Sequence, residues 1–287
     1  MNYTIFSGCL IQYRFPEYEK SARLILKSLG LKYIFIDSFA CCGSQIAESI
    51  DEKALYLIAG RNLALAEQKN IDVILTLCGS CTYILKKTHL ELQNEQKYRK
   101  INKILEKINL PLKNKVEIKH LVELLNEKEY FNELNSKLEK KINLNLTLQN
   151  PCMIYRPERI SKRKENDISL FTNLLEACGA KIIPYDYQDK CCEGTLLAFK
   201  KTIGESLVKK RYEAINKLNA DLFVVGCPNC QLVYSIFPTV LHSQIIPSIF
   251  FTQIIGLALG YSFNEVGLQR NVDKKRIKAV LESTGII

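Results

Sequence analysis

Ten of the eleven cysteines in this chain of 287 residues fall into two copies of one spacing pattern. In each copy a single cysteine is followed, after 31 residues in the first and 38 in the second, by an adjacent cysteine pair. A CxxC motif follows after 35 further residues in the first copy and 34 in the second. The first set is Cys9, Cys41, Cys42, Cys78 and Cys81, and the second set is Cys152, Cys191, Cys192, Cys227 and Cys230.

Five thiols in each set indicate a metal cluster rather than disulfides or a single ion. Five is an odd number for disulfide pairing and exceeds the four ligands of a tetrahedral zinc ion. A cluster of several iron atoms presents several coordination positions, and thiolates bind iron strongly. An adjacent Cys-Cys pair chelates one tetrahedral ion only with strain, because neighbouring side chains diverge, but it can reach two different irons. The pattern therefore favours iron–sulfur chemistry.

Each part of the pattern also has a simpler interpretation. A lone CxxC is typical of a zinc knuckle or a thioredoxin-like redox pair. An adjacent cysteine pair is often two buried residues that pack as small hydrophobes. Secreted disulfide scaffolds are equally rich in cysteine, but they are short. The repetition of the whole combination at nearly the same spacing favours the iron–sulfur interpretation over these three.

The doubled pattern resembles the cysteine-rich, CCG-domain signature of the B subunit of heterodisulfide reductase and its relatives. The resemblance covers nearly the whole chain, including the closing segment 246–260. The same double domain is found in thiol:fumarate reductases, in an archaeal type of succinate dehydrogenase and in sulfur-oxidising reductase-like complexes. The resemblance implies that each cysteine set holds a noncubane 4Fe-4S cluster, in which two smaller units share an iron and a sulfide. It assigns no catalytic residue apart from the clusters.

The chain departs from the family pattern at two places. Relatives commonly have a histidine after the first cysteine of the second set, where this chain has Met153. A glycine usually follows each adjacent pair, and the first pair keeps it as Gly43, but Glu193 follows the second. Methanogen-type subunits tend to have proline at the position of Gly43. These differences leave the substrate open, and they also leave open an arrangement with iron–sulfur in one set and zinc in the other.

The resemblance implies two functions. In the first, the chain is an oxidoreductase subunit of a heterodisulfide-reductase-like complex, active only with a ferredoxin-like iron–sulfur subunit and a flavoprotein subunit, and its substrate is a thiol or disulfide. In the second, it is the CCG-type electron-transfer subunit of an archaeal-type succinate dehydrogenase or fumarate reductase. That subunit docks at the membrane surface and passes electrons to quinone.

Composition places the chain among ordinary globular proteins, with 47% hydrophobic and 24% charged residues. No basic segment with a cleavage site follows Met1, so no secretory signal is expected. Free thiols in this number require a reducing compartment, which predicts the cytoplasm. The longest apolar run, 246–261, is interrupted by polar residues and proline, and it is too short to span a bilayer.

The formal net charge of +10 requires an explanation. Solvated helix faces account for most of the basic runs, including residues 137–141 and 200–211, which contains Lys209, Lys210 and Arg211. The basic runs contain no interleaved aromatics and no recognition motif, so nucleic-acid binding is not expected. Two explanations of the remaining charge stay open, namely binding to an acidic partner subunit and binding to an anionic membrane surface. The second would place the chain in peripheral contact with the cytoplasmic face of the membrane.

The hydrophobic pattern predicts an α/β protein of two similar, duplicated half-domains with short parallel sheets, joined by a helical connector. We place the first CCG domain at 1–93, the connector at 94–144 and the second CCG domain at 145–287. Each cysteine group follows a predicted strand, so it lies in the crevice at the carboxyl ends of a parallel sheet, one crevice in each half. The predicted strands are 3–7, 33–36, 73–77, 146–148, 181–184 and 222–225, and the predicted helices are 16–29, 51–68, 167–177 and one that ends near 216.

Arginine, proline and glutamate recur after the first cysteine of both sets, as in Arg14 and Arg156. Either the arginine neutralises the charge of a cluster, or the segment simply begins a helix. Among the histidines, we expect His89 and His120 to lie in helices and face solvent or charged neighbours, and His242 to be a satisfied core histidine.

Cys178, outside both sets, is expected to be a packing residue at the end of a helix. No phosphate-binding glycine loop, Ser-His-Asp arrangement or HExxH motif is present in the sequence. Any flavin or nicotinamide chemistry must therefore come from other subunits.

Overall fold

The computed structural model describes residues 1–164 and 167–287, and it contains two parallel sheets with helices between the strands. The first sheet has three strands in the order β1-β2-β3, and the second has four in the order β5-β4-β6-β7. The strands are β1 (Tyr3–Phe6), β2 (Val73–Thr76), β3 (Glu117–His120), β4 (Asn145–Gln149), β5 (Lys181–Ile182), β6 (Leu222–Val225) and β7 (Ser248–Phe250).

The α-helices occupy most of the remaining chain. In the first half they are α1 (Gly8–Arg14), α2 (Pro16–Ser28), α3 (Ser44–Ile50), α4 (Glu52–Gln68), α5 (Gly79–Glu91), α6 (Glu95–Glu106), α7 (Leu121–Leu125) and α8 (Lys128–Ser136). In the second half they are α9 (Cys152–Tyr155), α10 (Glu158–Ser161), α11 (Leu170–Ala177), α12 (Gly194–Phe199), α13 (Lys201–Asn216), α14 (Pro228–Gln231), α15 (Phe237–Val240), α16 (Phe251–Ala258) and α17 (Lys274–Ser283). A π-helical turn at Leu232–Ile236 precedes α15, and a 3-10 turn at Leu268–Arg270 precedes α17.

The two halves repeat one topology, as the duplicated cysteine pattern predicts. In the second sheet β4 lies between β5 and β6, and β7 closes the far side. In the first sheet β1 lies beside β2, and β3 closes the far side. The predicted strand at 33–36 is reduced to a single parallel bridge between Tyr3 and Tyr33, at the place that β5 takes in the second half. The α/β fold with duplicated halves is therefore confirmed.

The connecting segment 94–144 contains a strand that the helical periodicity does not predict. Strand β3 lies within it and pairs with β2 along four residues, with Ile118 opposite Ile74. Its sequence, Glu-Ile-Lys-His, is too short and too mixed in polarity to indicate a strand by itself. Helices α6 and α8 fill much of the remainder, as expected for a helical connector. The limits 1–93, 94–144 and 145–287 stay a prediction.

The halves are joined by aromatic packing of α2 of the first against β7 and α16 of the second. The ring of Tyr18 stacks on that of Phe250, with centroids 3.9 Å apart and planes 8° from parallel. The buried hydroxyls of Ser21 and Thr252 hydrogen-bond at 2.6 Å in the same contact. Because these side chains are fully buried, the two halves share one hydrophobic core.

The closing segment 246–260 forms β7 and α16, and every residue of these two elements is buried. The apolar run therefore belongs to the core of the second half and to its contact with α2. None of the helices in the described part of the chain combines the length and apolar character needed to span a bilayer.

His242 differs from the sequence prediction of a core histidine. It is exposed and has a left-handed backbone with φ of 50°. Its neighbours Leu241 and Ile245 are buried. The backbone reverses here, with the amide of Ser243 bonded to the carbonyl of Pro238, and this turn directs the histidine outward while its apolar neighbours enter the core.

We predict that Gly226→Ala lowers the free energy of unfolding by about 1–3 kcal/mol, because an added methyl group has no space. Its Cβ would overlap the ring of Phe171 and lie 3.1 Å from Pro151. Gly60→Ala is the matched control, since the nearest atoms to its Cβ lie at 3.6 Å and alanine favours the interior of α4. Urea denaturation of the metal-free chain measures both variants. Equal stability of the Gly226 variant and the wild type would contradict the packing described.

Candidate metal centre

The ten cysteines of the two sets form one continuous line of interacting thiols. All are free thiols, and each one lies close enough to the next to influence its ionisation. The second part of the line repeats the first in reverse order. From end to end the line is Cys9, Cys41, Cys42, Cys81, Cys78, Cys227, Cys230, Cys192, Cys191 and Cys152.

The two sets meet at the CxxC turns. The sulfurs of Cys78 and Cys227 are 3.8 Å apart, and the amide nitrogen Nδ2 of Asn229 lies 4.0 Å from the sulfur of Cys78. Hydrogen bonds from Cys230, from Cys78 and from the backbone of Gly79 hold the pKa of Cys227 well below its ordinary value. The sequence predicts one crevice in each half, and the structure makes the two crevices contiguous, because the strands before both turns end at the contact between the halves.

The line runs from the surface through the interior and back to the surface. Cys9 and Cys41 are exposed at one end, with their sulfurs 3.8 Å apart. Cys191 is exposed and Cys152 half-buried at the other end. The six thiols between these ends are all buried, namely Cys42, Cys81, Cys78, Cys227, Cys230 and Cys192. A group bound along the line is thus shielded in the middle and accessible at both ends.

Each adjacent cysteine pair is followed by a residue with a left-handed backbone, Gly43 with φ of 97° and Glu193 with φ of 65°. In this conformation the amide of Gly43 donates to the sulfur of Cys41 at 3.4 Å, and that of Glu193 donates to the sulfur of Cys191 at 3.3 Å. The glycine of the family pattern therefore meets a backbone requirement. Glu193 adopts the same conformation at a steric cost of about 1–2 kcal/mol.

The first sulfur of each pair is the one that is readily ionised. Hydrogen bonds from Cys42, Cys9 and the following amide lower the pKa of Cys41 to about 2. The same arrangement, with Cys152 contributing most, lowers the pKa of Cys191 to about 2. The hydrogen bond to Cys41 raises the pKa of Cys42 to about 12. Because the thiolate is the metal ligand, loading the line with metal must release protons from the remaining thiols.

The arrangement fits a group of several metal atoms. Within residues 1–164 and 167–287, no three Cys, His, Asp or Glu side chains are gathered around one point as the ligands of a single ion are. The sulfurs instead approach each other in successive contacts along the line. A donor set made only of thiols suits the coordination of iron–sulfur groups, in which different irons take different sulfurs.

Glu193 and Arg211 form an ion pair beside the second adjacent pair, in which the arginine is buried and the glutamate is partly buried. The guanidinium Nη2 of Arg211 donates to Oε1 of Glu193 at 2.7 Å. Arg211 is 4% exposed, whereas its neighbours Lys209 and Lys210 on α13 are exposed. The sequence interpretation of this basic run as a solvated face is therefore wrong for Arg211. In the sequence, Glu193 stands where the family pattern has glycine, and this carboxylate was the signal that could have indicated an ion-pair partner for Arg211.

The two recurring arginines have different surroundings. Arg14 is exposed at the end of α1, and Pro16 begins the next helix. Arg156 donates to the carbonyl of Asp189, in the loop that leads to the second adjacent pair. Glu158 begins α10. Both segments thus begin helices, and the second also supports the loop that carries Cys191.

His120 differs from the prediction of a solvent-facing helical residue. It lies at the end of β3, is fully buried, and uses Nδ1 to accept a hydrogen bond from the amide of Val122 at 3.2 Å. Its ring packs near those of Phe171 and Phe251. Burial lowers the pKa of His120 to about 4. The prediction was wrong because the short strand carries the histidine into the contact between the halves.

Two other residues lie away from the line of thiols. Cys178 is buried at the end of α11, as expected for a packing residue. His89 is half-buried on α5, and its carbonyl accepts a hydrogen bond from Asn114.

Comparison with known proteins identifies similar chains. A sequence model of the cysteine-rich domain, CCG, matches residues 3–86 and 146–234, which contain all ten cysteines of the line. The chain is 27% identical over 278 residues to the B subunit of the Ferredoxin/F(420)H(2)-dependent CoB-CoM heterodisulfide reductase of Methanosarcina acetivorans, covering 93% of this chain and 92% of the relative. It is 29% identical over 277 residues to a protein of Wolinella succinogenes named 8-methylmenaquinol:fumarate reductase membrane anchor subunit, covering 94% of this chain and 96% of the relative.

A solved structure shows the same fold. The crystal structure of a hypothetical protein from Helicobacter pylori has a TM-score of 0.76 to this chain, with 19% identity over 94% of this chain. This chain spans about half of that protein, 51% of its length.

We predict that His120 makes the fold sensitive to acid. Its pKa is lowered from 6.5 to about 4. The contribution of neutral His120 to the free energy of unfolding is therefore complete above pH 6.5 and is lost as the pH falls towards 4. The loss amounts to about 2 kcal/mol by pH 5 and about 3 kcal/mol in full. Asparagine keeps an acceptor for the amide of Val122, so His120→Asn is expected to lose less stability than the wild type between pH 7 and pH 5. Urea denaturation of the metal-free chain at both pH values measures the difference.

The exposed His242 provides the matched control. His242→Asn is expected to keep the acid sensitivity of the wild type. The same loss of stability in all three proteins would show that His120 is not the sensitive group.

Proposed function

This chain belongs to the family of cysteine-rich CCG-domain proteins, and on that premise we propose that it is the iron–sulfur subunit of a heterodisulfide-reductase-like complex. It transfers electrons through two noncubane 4Fe-4S clusters for thiol/disulfide redox chemistry. The observation that carries the proposal is the continuous line of ten thiols, in which two mirrored sets meet at Cys78 and Cys227. One isolated redox disulfide or zinc knuckle would not need such a line.

The ten cysteines of the line are the proposed ligands, with one set for each cluster. When bound, the clusters supply one-electron redox chemistry, whereas the cleavage of a disulfide to two thiols takes two electrons and two protons. The chain itself positions the sulfurs and shields six of them from water. The exposed sulfurs Cys9, Cys41 and Cys191 leave both ends of the line accessible to a partner or substrate.

The proposed partner subunits would supply the cofactor-binding motifs that the sequence of this chain does not contain. A flavoprotein subunit and a ferredoxin-like iron–sulfur subunit would deliver the electrons, since no nucleotide-binding glycine loop is present in the sequence. The net charge of +10 suits an acidic partner or an anionic membrane surface. We place the chain in the cytoplasm, with peripheral contact on the cytoplasmic face of the membrane.

A second candidate function is electron transfer between quinone and a fumarate reductase or archaeal-type succinate dehydrogenase. The observation that favours it is the relative from Wolinella succinogenes, whose name states a methylmenaquinol:fumarate reductase and which matches this chain over nearly its full length. In this function the clusters held by the same ten cysteines would carry the electrons at the membrane surface, and no disulfide is cleaved.

We predict that anaerobically prepared protein contains iron and acid-labile sulfide. Cys42→Ala and Cys192→Ala should each lower both contents to about half, because each variant removes an inner ligand from one cluster only. Cys178→Ala is the matched control, since this buried thiol lies outside the line and should leave both contents unchanged. Chemical analysis of iron, sulfide and zinc in each preparation measures this. A wild-type preparation that holds only zinc would contradict the proposal.

Isolation of the native complex separates the two functions. With a reduced viologen as electron donor, the complex of the first function cleaves a disulfide, such as that formed between two different low-molecular-weight thiols. The complex of the second function reduces fumarate with a reduced menaquinone analogue and leaves the disulfide intact. The flavoprotein that copurifies is expected to carry a fumarate- or succinate-reacting site only in the second case.

A further inference from the structure

Arg211 places a buried positive charge beside the second cysteine set. Its side chain reaches back from α13 and is 4% exposed. Nη2 donates to Glu193, Nη1 donates to the carbonyl of Leu207 at 2.9 Å, and the guanidinium carbon lies 5.2 Å from the ring centre of Tyr187. Nε is also buried and has no hydrogen-bond partner among the described residues. The guanidinium is thus held in one place, and its buried Nε donor is unused within the described part of the chain.

The charge acts on the second set in particular. Glu193 directly follows Cys192, and its amide donates to the sulfur of Cys191. The carboxylate partner of Arg211 therefore lies on the same backbone turn as these two thiols. Arg211 reaches this turn through its 2.7 Å contact with the carboxylate of Glu193. Solvent screens a buried charge only weakly, so this interaction persists at ordinary ionic strength.

The first set has a neutral residue at the corresponding place. Asn62 lies on α4, 21 residues after Cys41, and Arg211 lies on α13, 20 residues after Cys191. Asn62 is fully buried, and its side chain bonds the backbone of Ala40 and Cys41. The duplicated scaffold thus supports one adjacent pair with an amide and the other with a guanidinium–carboxylate pair.

A fixed cation lowers the free energy of an added electron, and charge near the sulfurs is one of the factors that set the potential of an iron–sulfur group. We propose that Arg211 and Glu193 together set the reduction potential of the second iron–sulfur site, with the guanidinium of Arg211 raising it and the carboxylate of Glu193 lowering it. This inference rests on the proposed function. Arg211 acts on the site only through its charge and is not a catalytic residue.

Redox titration of the iron–sulfur-loaded chain, followed by electron paramagnetic resonance, tests the inference. Arg211→Gln removes the cation, so the midpoint potential of one of the two clusters is expected to fall while that of the other stays unchanged. Glu193→Gln removes the neighbouring negative charge and keeps the arginine, so the same cluster is expected to shift to higher potential. Opposite shifts from the two variants distinguish an effect of charge from a general loosening of the site.

Two further variants complete the test. Arg211→Lys keeps the charge and is expected to stay near the wild-type potential. Lys210→Gln removes a charge from the exposed face of the same helix, where solvent screens it, and is expected to shift neither cluster. If Arg211→Gln fails to fold, the Glu193→Gln and Arg211→Lys results decide the question by themselves.

The inference is overturned if Glu193→Gln leaves both potentials unchanged, if the clusters shift equally, or if Arg211→Gln and Glu193→Gln shift the potential in the same direction. These results presuppose bound clusters. A wild-type chain that takes up no iron and sulfide would instead contradict the proposed function, so the two failures are distinguishable by metal analysis.

Discussion

The contact between the two CxxC turns is the constraint on which the rest of the structure depends. The sulfurs of Cys78 and Cys227 lie 3.8 Å apart, so the carboxyl ends of two separate sheets must meet at one point. Gly226, directly before Cys227, has no room for a side chain because Phe171 and Pro151 fill the space. Its carbonyl accepts a hydrogen bond from Tyr18 of the other half at 3.0 Å. The stacked ring of Phe250 holds Tyr18 in turn. The packing of α2 against β7 and α16 thus holds the two CxxC turns together and keeps the thiols in one line.

Duplication explains both the symmetry and the asymmetry of the site. Both halves use a strand, an adjacent cysteine pair with a left-handed residue after it, a long helix and a second strand before the CxxC turn. The backbone requirement after each pair is the same, but Gly43 satisfies it without a side chain, whereas Glu193 adds a carboxylate that must then be neutralised. Arg211 is buried, so the loss of Glu193 would leave an uncompensated buried charge, which is strongly destabilising. Glu193 and Arg211 are therefore best understood as a unit, and their effect on the bound group is electrostatic.

Much of the fold could be predicted from local patterns. Continuous apolar runs predicted β2 and β6, and the helical period predicted α2 and α4 within one or two residues of their limits. Strand β3 could not be predicted, because four residues of mixed polarity become a strand only when β2 lies beside them. The burial of His120 follows from that strand and was missed with it. Arg211 was missed for a related reason, since a basic run on a helix does not reveal which of its members faces the interior.

The sequence by itself determined the chemistry available to this protein, because the type and spacing of ten cysteines can be counted without coordinates and already favour iron–sulfur chemistry over disulfide pairing or a single zinc ion. It also determined the duplicated α/β architecture, since each cysteine group follows an apolar strand. Only the tertiary structure decided that the two sets are continuous and that their surroundings differ in charge. Both facts depend on contacts between residues far apart in the chain, such as Cys78 with Cys227 and Glu193 with Arg211, and local periodicity carries no information about such contacts.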